Sequence, residues 1–355
     1  MTHAVVTGGA GFIGSHLVES LLQIGYSVHV IDDLSGGSLD NLSAVHGDPR
    51  LRITFDTILN ESLMDDVIAD ADIVFHFAAA VGVQRILARP LTSLIANLRG
   101  TDIVLQAADR SRCPIILAST SEVYGKNDTG SLREDADRIF GPATLSRWHY
   151  ATAKAADEAL AHAYHEEHGL RTMVVRFFNT IGPRQTGQYG MVVPRFVCQA
   201  LQDAPLTVFG DGQQTRCFTD VRDVVRAVIA LAQCDAAWGE IINIGGADEI
   251  AVNALAERII RLAGSRSEVV HVPYAEAYAR GYEDMRRRVP DVSKLRALIG
   301  FAPETDLDEI LCRIIQSQQK HGIHATLAAP LSVSPAHGAR AVIEHLGACT
   351  VGAGE

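Results

Sequence analysis

A glycine cluster near the start of the chain constrains the fold more than any other feature. Thr7-Gly8-Gly9-Ala10-Gly11-Phe12-Ile13-Gly14 lies between an apolar run, residues 3–7, and a stretch with apolar residues at helical spacing, residues 12–23. Gly9, Gly11 and Gly14 satisfy Gly-x-Gly-x-x-Gly, and Gly8 opens an overlapping Gly-x-x-Gly-x-x-Gly. Glycine allows a tight turn, close approach of backbone to a pyrophosphate, and close packing of helix on strand. The phosphates then meet a helix N-terminus, whose free N–H groups and dipole favour anions. The pattern is weak alone, but here a second apolar run, residues 27–31, delivers Asp32 at its end. A carboxylate there accepts hydrogen bonds from the adenosine ribose and repels a 2′-phosphate. Asp33 adds to that repulsion, and no Arg or Lys lies between Asp32 and Asp40. The site these residues describe takes NAD in preference to NADP.

Further apolar runs at residues 51–55, 73–77, 115–118, 172–177 and 241–244 alternate with helical stretches. Continuous apolar strands separated by helices imply a parallel sheet covered on both faces, the doubly wound α/β design. Residues 1–180, with about 215–245, are expected to form this dinucleotide-binding (Rossmann) domain. After about residue 180, Gly and Pro become frequent, which predicts a smaller, discontinuous substrate-binding lobe from 181–214 and 246–321. Residues 322–355 are rich in Ala, Gly, Pro and Ser and read as a flexible tail.

Tyr150-Ala151-Thr152-Ala153-Lys154 puts a phenol and an ammonium four residues apart, on one face of a helix expected over 147–168 and capped by Gly169. A positive charge nearby favours phenolate, which makes a base. The run at 115–118 leads into Ser119-Thr120-Ser121-Glu122-Val123-Tyr124-Gly125, a hydroxyl- and carboxylate-rich turn. Ligands of open α/β sheets bind at the carboxyl ends of strands, where this turn should lie. Glu122 in a dry pocket near a substrate carboxylate would have a raised pKa, suited to proton transfer.

In combination these motifs resemble an extended short-chain dehydrogenase/reductase of the nucleotide-sugar epimerase/dehydratase/decarboxylase group. The likeness runs from about residue 3 to about 320. It includes TGGAGFIG, Asp32-Asp33-Leu34-Ser35, Asp56, His76-Phe77-Ala78-Ala79-Ala80, Asn97 with Gly100-Thr101, STSEVYG, YATAK, FFNTIGPR, GDGQQTRCFTDVRD at 210–223, and Arg286-Arg287-Arg288-Val289-Pro290-Asp291. The resemblance implies that Gly8, Gly11, Phe12, Ile13, Gly14, Asp32, Asp56, Ala78 and Asn97 line NAD. It implies that Thr120 binds the sugar 4-hydroxyl, that Tyr150 deprotonates it, and that Lys154 holds the nicotinamide ribose and tunes Tyr150. Ser121, Asn179, Arg216 and Arg288 would grip the sugar and diphosphate, guanidinium groups being suited to forked bonds with phosphate or carboxylate.

The reaction after C4 oxidation depends on the turn at Glu122. The resemblance implies that 4-epimerases often carry a small or hydroxyl residue there. In 4,6-dehydratases a Glu removes the C5 proton, and the glucose type usually puts Asp before it. This chain has Ser121, closer to the GDP-mannose type. UDP-glucuronate decarboxylases resemble it in Thr120-Ser121-Glu122, in Arg147-Trp148 and in the Arg-x-Pro of 288–290. Arg288 then reads either as a hexuronate carboxylate recogniser or as a diphosphate clamp. A UDP-glucuronate decarboxylase-like activity leads, a UDP-sugar 4-epimerase follows, and a 4,6-dehydratase or a non-catalytic NAD sensor stands behind both.

Asp and Glu total 42 against 31 Lys and Arg, a net charge of −11. That balance excludes broad nucleic-acid binding, which needs a basic footprint. The 6 cysteines follow no metal-like spacing, and the 14 histidines give no ligand set, so no metal is expected. No apolar run is long enough to span a membrane, and no leader pattern opens the chain, which predicts a cytoplasmic protein. His76 should pack beneath the cofactor, and Trp148 either stacks near the sugar or closes the pocket. Helices near 98–110 and 150–168 resemble the family's dimer bundle and predict a homodimer.

Overall fold

Seven apolar runs pair into one parallel sheet in a computed structural model that describes residues 1–81, 89–187, 191–277 and 285–321. The strands are β1 (His3–Thr7), β2 (Ser27–Ile31), β3 (Leu51–Thr54), β4 (Ile73–His76), β5 (Ile115–Thr120), β6 (Thr172–Phe177) and β7 (Ile241–Ile244). Their order is β7-β6-β5-β4-β1-β2-β3, so the order reverses between β1 and β4. A crevice opens where neighbouring strands send their connections to opposite faces. Register sets Thr7 beside His76 and Thr120 beside Phe177, which aligns the strand ends into one rim.

The strands are apolar on both sides because both sides are covered. Alternate residues serve alternate cores: Val6, Val30, Phe75 and Val175 pack under α1 (Phe12–Gln23), while Val5, Ile31, Val74 and Leu117 face the other layer. That layer is α2 (Glu61–Ala69), α3 (Pro90–Ser111) and α4 (His149–His168). Helix α4 ends at Gly169, whose φ of 69° suits glycine at a C-terminal cap. A third core joins α5 (Val192–Leu201), α7 (Val252–Ala263) and Leu307–His321, and belongs to the smaller lobe. Between these two helices in sequence, α6 (Val221–Ala232) packs Val224 and Val228 on the large sheet beside α1.

Two lobe boundaries differ from expectation. Thr215–Cys217, expected with the large domain, pairs instead with Glu249–Ala251 and Arg287–Arg288 in the smaller lobe's sheet. Ser293–Ile299, expected in the smaller lobe, buries Leu295 in the large sheet's core. Each short segment goes where strand partners or an apolar face await it, which composition alone does not reveal. Strand β5 also runs two positions beyond its apolar stretch, because Ser119 and Thr120 still pair with Arg176 and Phe177. The tail, 322–355, lies outside the described residues.

The turn after β1 is built for glycine. Gly8 has φ +72°, and its N–H donates to Ile31 O at 2.8 Å, tying the turn to β2. A Cβ on Gly14 would stand 2.1 Å from Gly8 O. Gly14→Ala must therefore open the turn, with a loss of roughly 1–3 kcal/mol. The expected result is a lower melting temperature together with weaker binding of NADH, followed by its dihydronicotinamide fluorescence; unchanged values for both would contradict this packing.

Candidate active site

A cleft of about 550 Å³ runs along the strand rim and into the smaller lobe. Its first half is lined by Gly8, Gly11, Phe12, Ile13 and Gly14, with Asp32, Asp56 and Ala78 opposite. Asp32 accepts from Ala10 N at 2.9 Å and from Leu34 N at 2.8 Å, which aims its carboxylate into the cleft beside the glycine turn. Asp33, which also lines it, receives the N–H of Ser35 at 2.9 Å. A turn that a Cβ would close and an acidic end to β2 fit a dinucleotide with unphosphorylated ribose.

Asn97 does not reach this surface. Its side chain accepts from Ala80 N at 2.7 Å and donates to Ala80 O at 3.3 Å, so it shapes the Ala78–Ala80 wall from behind. A helix side chain one layer back is chemically suited to that wall, and the sequence does not separate the two placements. His76 is likewise structural. It closes β4 between Thr7 Oγ1 at 2.8 Å and Thr101 Oγ1 at 3.2 Å.

The second half of the cleft gathers Thr120, Ser121, Glu122 and Tyr150, with Asn179 just past the end of β6 and Arg216 and Arg288 from the smaller lobe's sheet. Thr120 ends β5 and accepts the N–H of Glu122 at 3.2 Å, starting a short turn at Ser121–Tyr124. Glu122 is held by two guanidiniums: Arg288 Nη1 donates at 2.5 Å, and Arg147 pairs with the other oxygen. Arg288 also donates to Asn179 Oδ1 at 3.0 Å, and Asn179, at φ +25°, donates to Cys217 O at 2.8 Å. Asn179 thus hooks the smaller lobe's strand to the sheet rim as well as facing the cleft.

Two electrostatic expectations are corrected here. Burial by itself would raise the Glu122 carboxyl, but Arg147 and Arg288 outweigh it and hold the group well below the usual range. Glu122 is a carboxylate at rest, not an acid. Lys154 pairs with an acid of its own helix: its Nζ donates to Asp157 Oδ2 at 2.8 Å, and both side chains are buried. Tyr150 is pushed above the ordinary phenol range by burial first, then by the charges of Glu122 and Asp157.

In the sequence, Arg147 stands out only through the family resemblance of the pair Arg147-Trp148. Trp148 settles neither on the sugar nor at the mouth; it is buried with Phe140, ring centroids 6.2 Å apart, and lies under Arg147. At the far end Arg195 stacks on Phe209, 4.0 Å from the ring centroid, and Gln214 and Tyr274 complete the wall. Single residues of common types carry no pattern by which to find them.

The whole turn rests on a buried network. Arg176 of β6 makes a fork with Glu158 of α4, at 2.9 and 2.8 Å, and donates to Tyr124 Oη at 2.8 Å. Glu158 also accepts from Ser119 and from Arg138, each at 2.5 Å. Tyr124 donates to Asn243 Oδ1 at 2.7 Å, and Asn243 Nδ2 donates to Leu132 O and Asp291 O at 2.8 and 3.2 Å. The segment carrying Arg288 is fixed through that last contact.

Residues 5–314 match the family model described as GDP-mannose 4,6-dehydratase. The chain belongs to this family. It is 41% identical over 314 residues to a UDP-N-acetyl-alpha-D-glucosaminuronate decarboxylase of Bacillus cytotoxicus, covering 88% of this chain and 96% of the relative. It is 33% identical to UDP-glucuronic acid decarboxylase 1 of Danio rerio, covering 88% and 71%. A UDP-glucuronic acid 4-epimerase of Bacillus cereus, solved with UDP-glucuronic acid and NAD, superposes with a TM-score of 0.82 at 29% identity, covering 90% of this chain and all of that one. Family and fold together make this an NAD-dependent enzyme of nucleotide-sugar chemistry.

His76 supplies a pH prediction. Burial, then the charge of Lys154, lowers it from 6.5 to about 3. Between those values the unfolded chain binds a proton that the native state refuses, so stability falls as pH drops from 6.5 toward 3. One such group contributes a slope of up to about 1.4 kcal/mol per pH unit. His76→Asn should flatten the acid side of a denaturant-unfolding profile; equal slopes in both proteins would show that His76 titrates normally.

Proposed function

We propose that this protein is a UDP-hexuronate decarboxylase that oxidises C4 of the sugar, releases C6 as CO2 and restores C4. One observation carries the choice: two guanidiniums, Arg147 and Arg288, converge on the single carboxylate of Glu122 beside Tyr150. That cluster is one positive charge in excess inside a largely buried pocket. A sugar carboxylate balances it, whereas a neutral 6-hydroxymethyl group does not. The relatives named as decarboxylases support the same reading.

The residues of the glycine-lined half would hold NAD, which would supply reversible hydride transfer at C4. Tyr150 takes the proton of the 4-hydroxyl, which Thr120 orients from the end of β5. With a ketone at C4, the C6 carboxylate belongs to a β-keto acid. The C5–C6 bond breaks, its electron pair passes into the C4–C5 enolate, and CO2 leaves. Arg288 is placed to hold the carboxylate before cleavage, with its fork shared between substrate and Glu122. A proton taken up from water at C5 regenerates the ketone before C4 is reduced and Tyr150 returns its proton to the 4-oxygen.

The proposal extends to a homodimeric assembly and a cytoplasmic location. Leu91 and Ile95, one turn apart on α3, are 69% and 45% exposed, and we infer that they meet a second copy in a homodimer. The five described cysteines are free thiols, in keeping with a cytoplasmic protein, and among the described residues no helix is long and apolar enough to cross a membrane.

The decisive assay supplies NAD-loaded protein with UDP-glucuronate and, separately, with its 2-acetamido analogue. The expected products are CO2 and the matching UDP-pentose. Conversion to UDP-galacturonate without CO2 would replace decarboxylation by 4-epimerisation, and turnover of UDP-glucose would remove the need for a sugar carboxylate. Tyr150→Phe should abolish substrate-dependent reduction of NAD. Arg288→Lys, which loses the fork, should cost roughly 1.5–3 kcal/mol in kcat/KM. Light scattering should give twice the chain mass, and Leu91→Asp should shift it toward one.

A further inference from the structure

Helix α4 carries a buried charged group, Asp157, that the mechanism does not use. Tyr150, Lys154, Asp157 and Glu158 recur at spacings of three and four, which stacks them along the face turned to the sheet. Glu158 is fully engaged by Arg176, Arg138 and Ser119. Asp157 is not. Its side chain is 2% exposed, one oxygen takes Lys154 Nζ at 2.8 Å, and the other, Oδ1, has no hydrogen-bond partner among the described residues. A buried carboxylate oxygen left without a donor is costly, so packing alone is a poor reason for an acid here.

The other charges that face this cluster are accounted for. His76, from the end of β4, is neutral. Glu122, from the turn after β5, is answered by Arg147 and Arg288. That leaves the Lys154 ammonium, one helical turn from Tyr150, as the cation whose pairing can bear on the phenol. An ammonium closed on a carboxylate stabilises a neighbouring phenolate far less than one whose partners are neutral hydroxyls.

We propose that Asp157 is a positioning residue that holds the Lys154 ammonium in a closed pair and so keeps Tyr150 neutral in the resting site. Opening the pair then releases positive charge to the phenol at the moment a base is needed. The device rests on the assignment of Tyr150 as the base in the proposed function. It goes beyond that assignment by giving the Tyr–Lys couple a built-in brake.

Asp157→Asn keeps an oxygen within reach of Lys154 and removes only the charge, whereas Asp157→Ala removes both. Ultraviolet difference titration of tyrosinate, taken against the same protein with Tyr150→Phe, follows this one phenol without substrate. Tyr150 should ionise at least about one pH unit lower in Asp157→Asn than in the wild type, and at least as low in Asp157→Ala. The acid limb of the turnover profile should move the same way. Removing Asp157 also removes its own charge from the surroundings of the phenol, so the same substitution is made in a Lys154→Met background: a smaller shift is expected there, and an equal shift in both backgrounds would overturn the role given to the ammonium. An unmoved phenol in folded Asp157→Asn overturns the proposal, as does failure of both variants to fold. Failure of the underlying function reads differently: Tyr150→Phe would retain turnover.

Discussion

The fork between Arg176 and Glu158 ties the sheet to the helix that carries Tyr150, and the rest of the site is assembled around it. Both side chains are 1% exposed, so each charge depends wholly on the other and on the hydrogen bonds around them. Removing one member of such a pair strands the other in a low-dielectric interior, at a cost of about 3–5 kcal/mol. Through Ser119 and Tyr124 the same network grips the end of β5, and through Asn243 it grips the segment that delivers Arg288. Strand end, tyrosine helix and arginine segment are therefore held by one set of bonds rather than by three independent loops.

Above that foundation the site works by unequal charge pairing. Glu122 has two cations and stays ionised, while Asp157 has one cation and an idle oxygen. The first arrangement leaves positive charge for an incoming carboxylate. The second withholds positive charge from the phenol. Sharing of guanidiniums and ammoniums among carboxylates thus sets both what the cleft attracts and when its base can form. The two carboxylates also act on Tyr150 in the same direction, since each adds to the effect of burial.

The dinucleotide half of the cleft was legible because its chemistry is local in sequence. The glycine turn, the carboxylate ending β2 and the apolar runs are contiguous patterns, and parallel pairing follows from runs that are apolar throughout. Tyr150 and Lys154 were legible as residues but not as a pair, because spacing puts two side chains on one helix face without saying which neighbour each prefers. Asn97 shows the same limit: the right residue on the right helix stands one layer behind the cleft. Lobe membership of Thr215–Cys217 and Ser293–Ile299 was hidden because such short segments are assigned by their partners.

By itself the sequence determined the doubly wound sheet, the cofactor preference and the group of residues that meet at the strand rim, since glycine conformation, strand apolarity and acidic side chains act over short stretches of chain. Only the tertiary structure decided the ionic partners: Arg147 and Arg288 with Glu122, Asp157 with Lys154, Arg176 with Glu158. Charges choose partners by distance and burial, and residues 122 and 288 become neighbours only after two lobes close on a shared cleft.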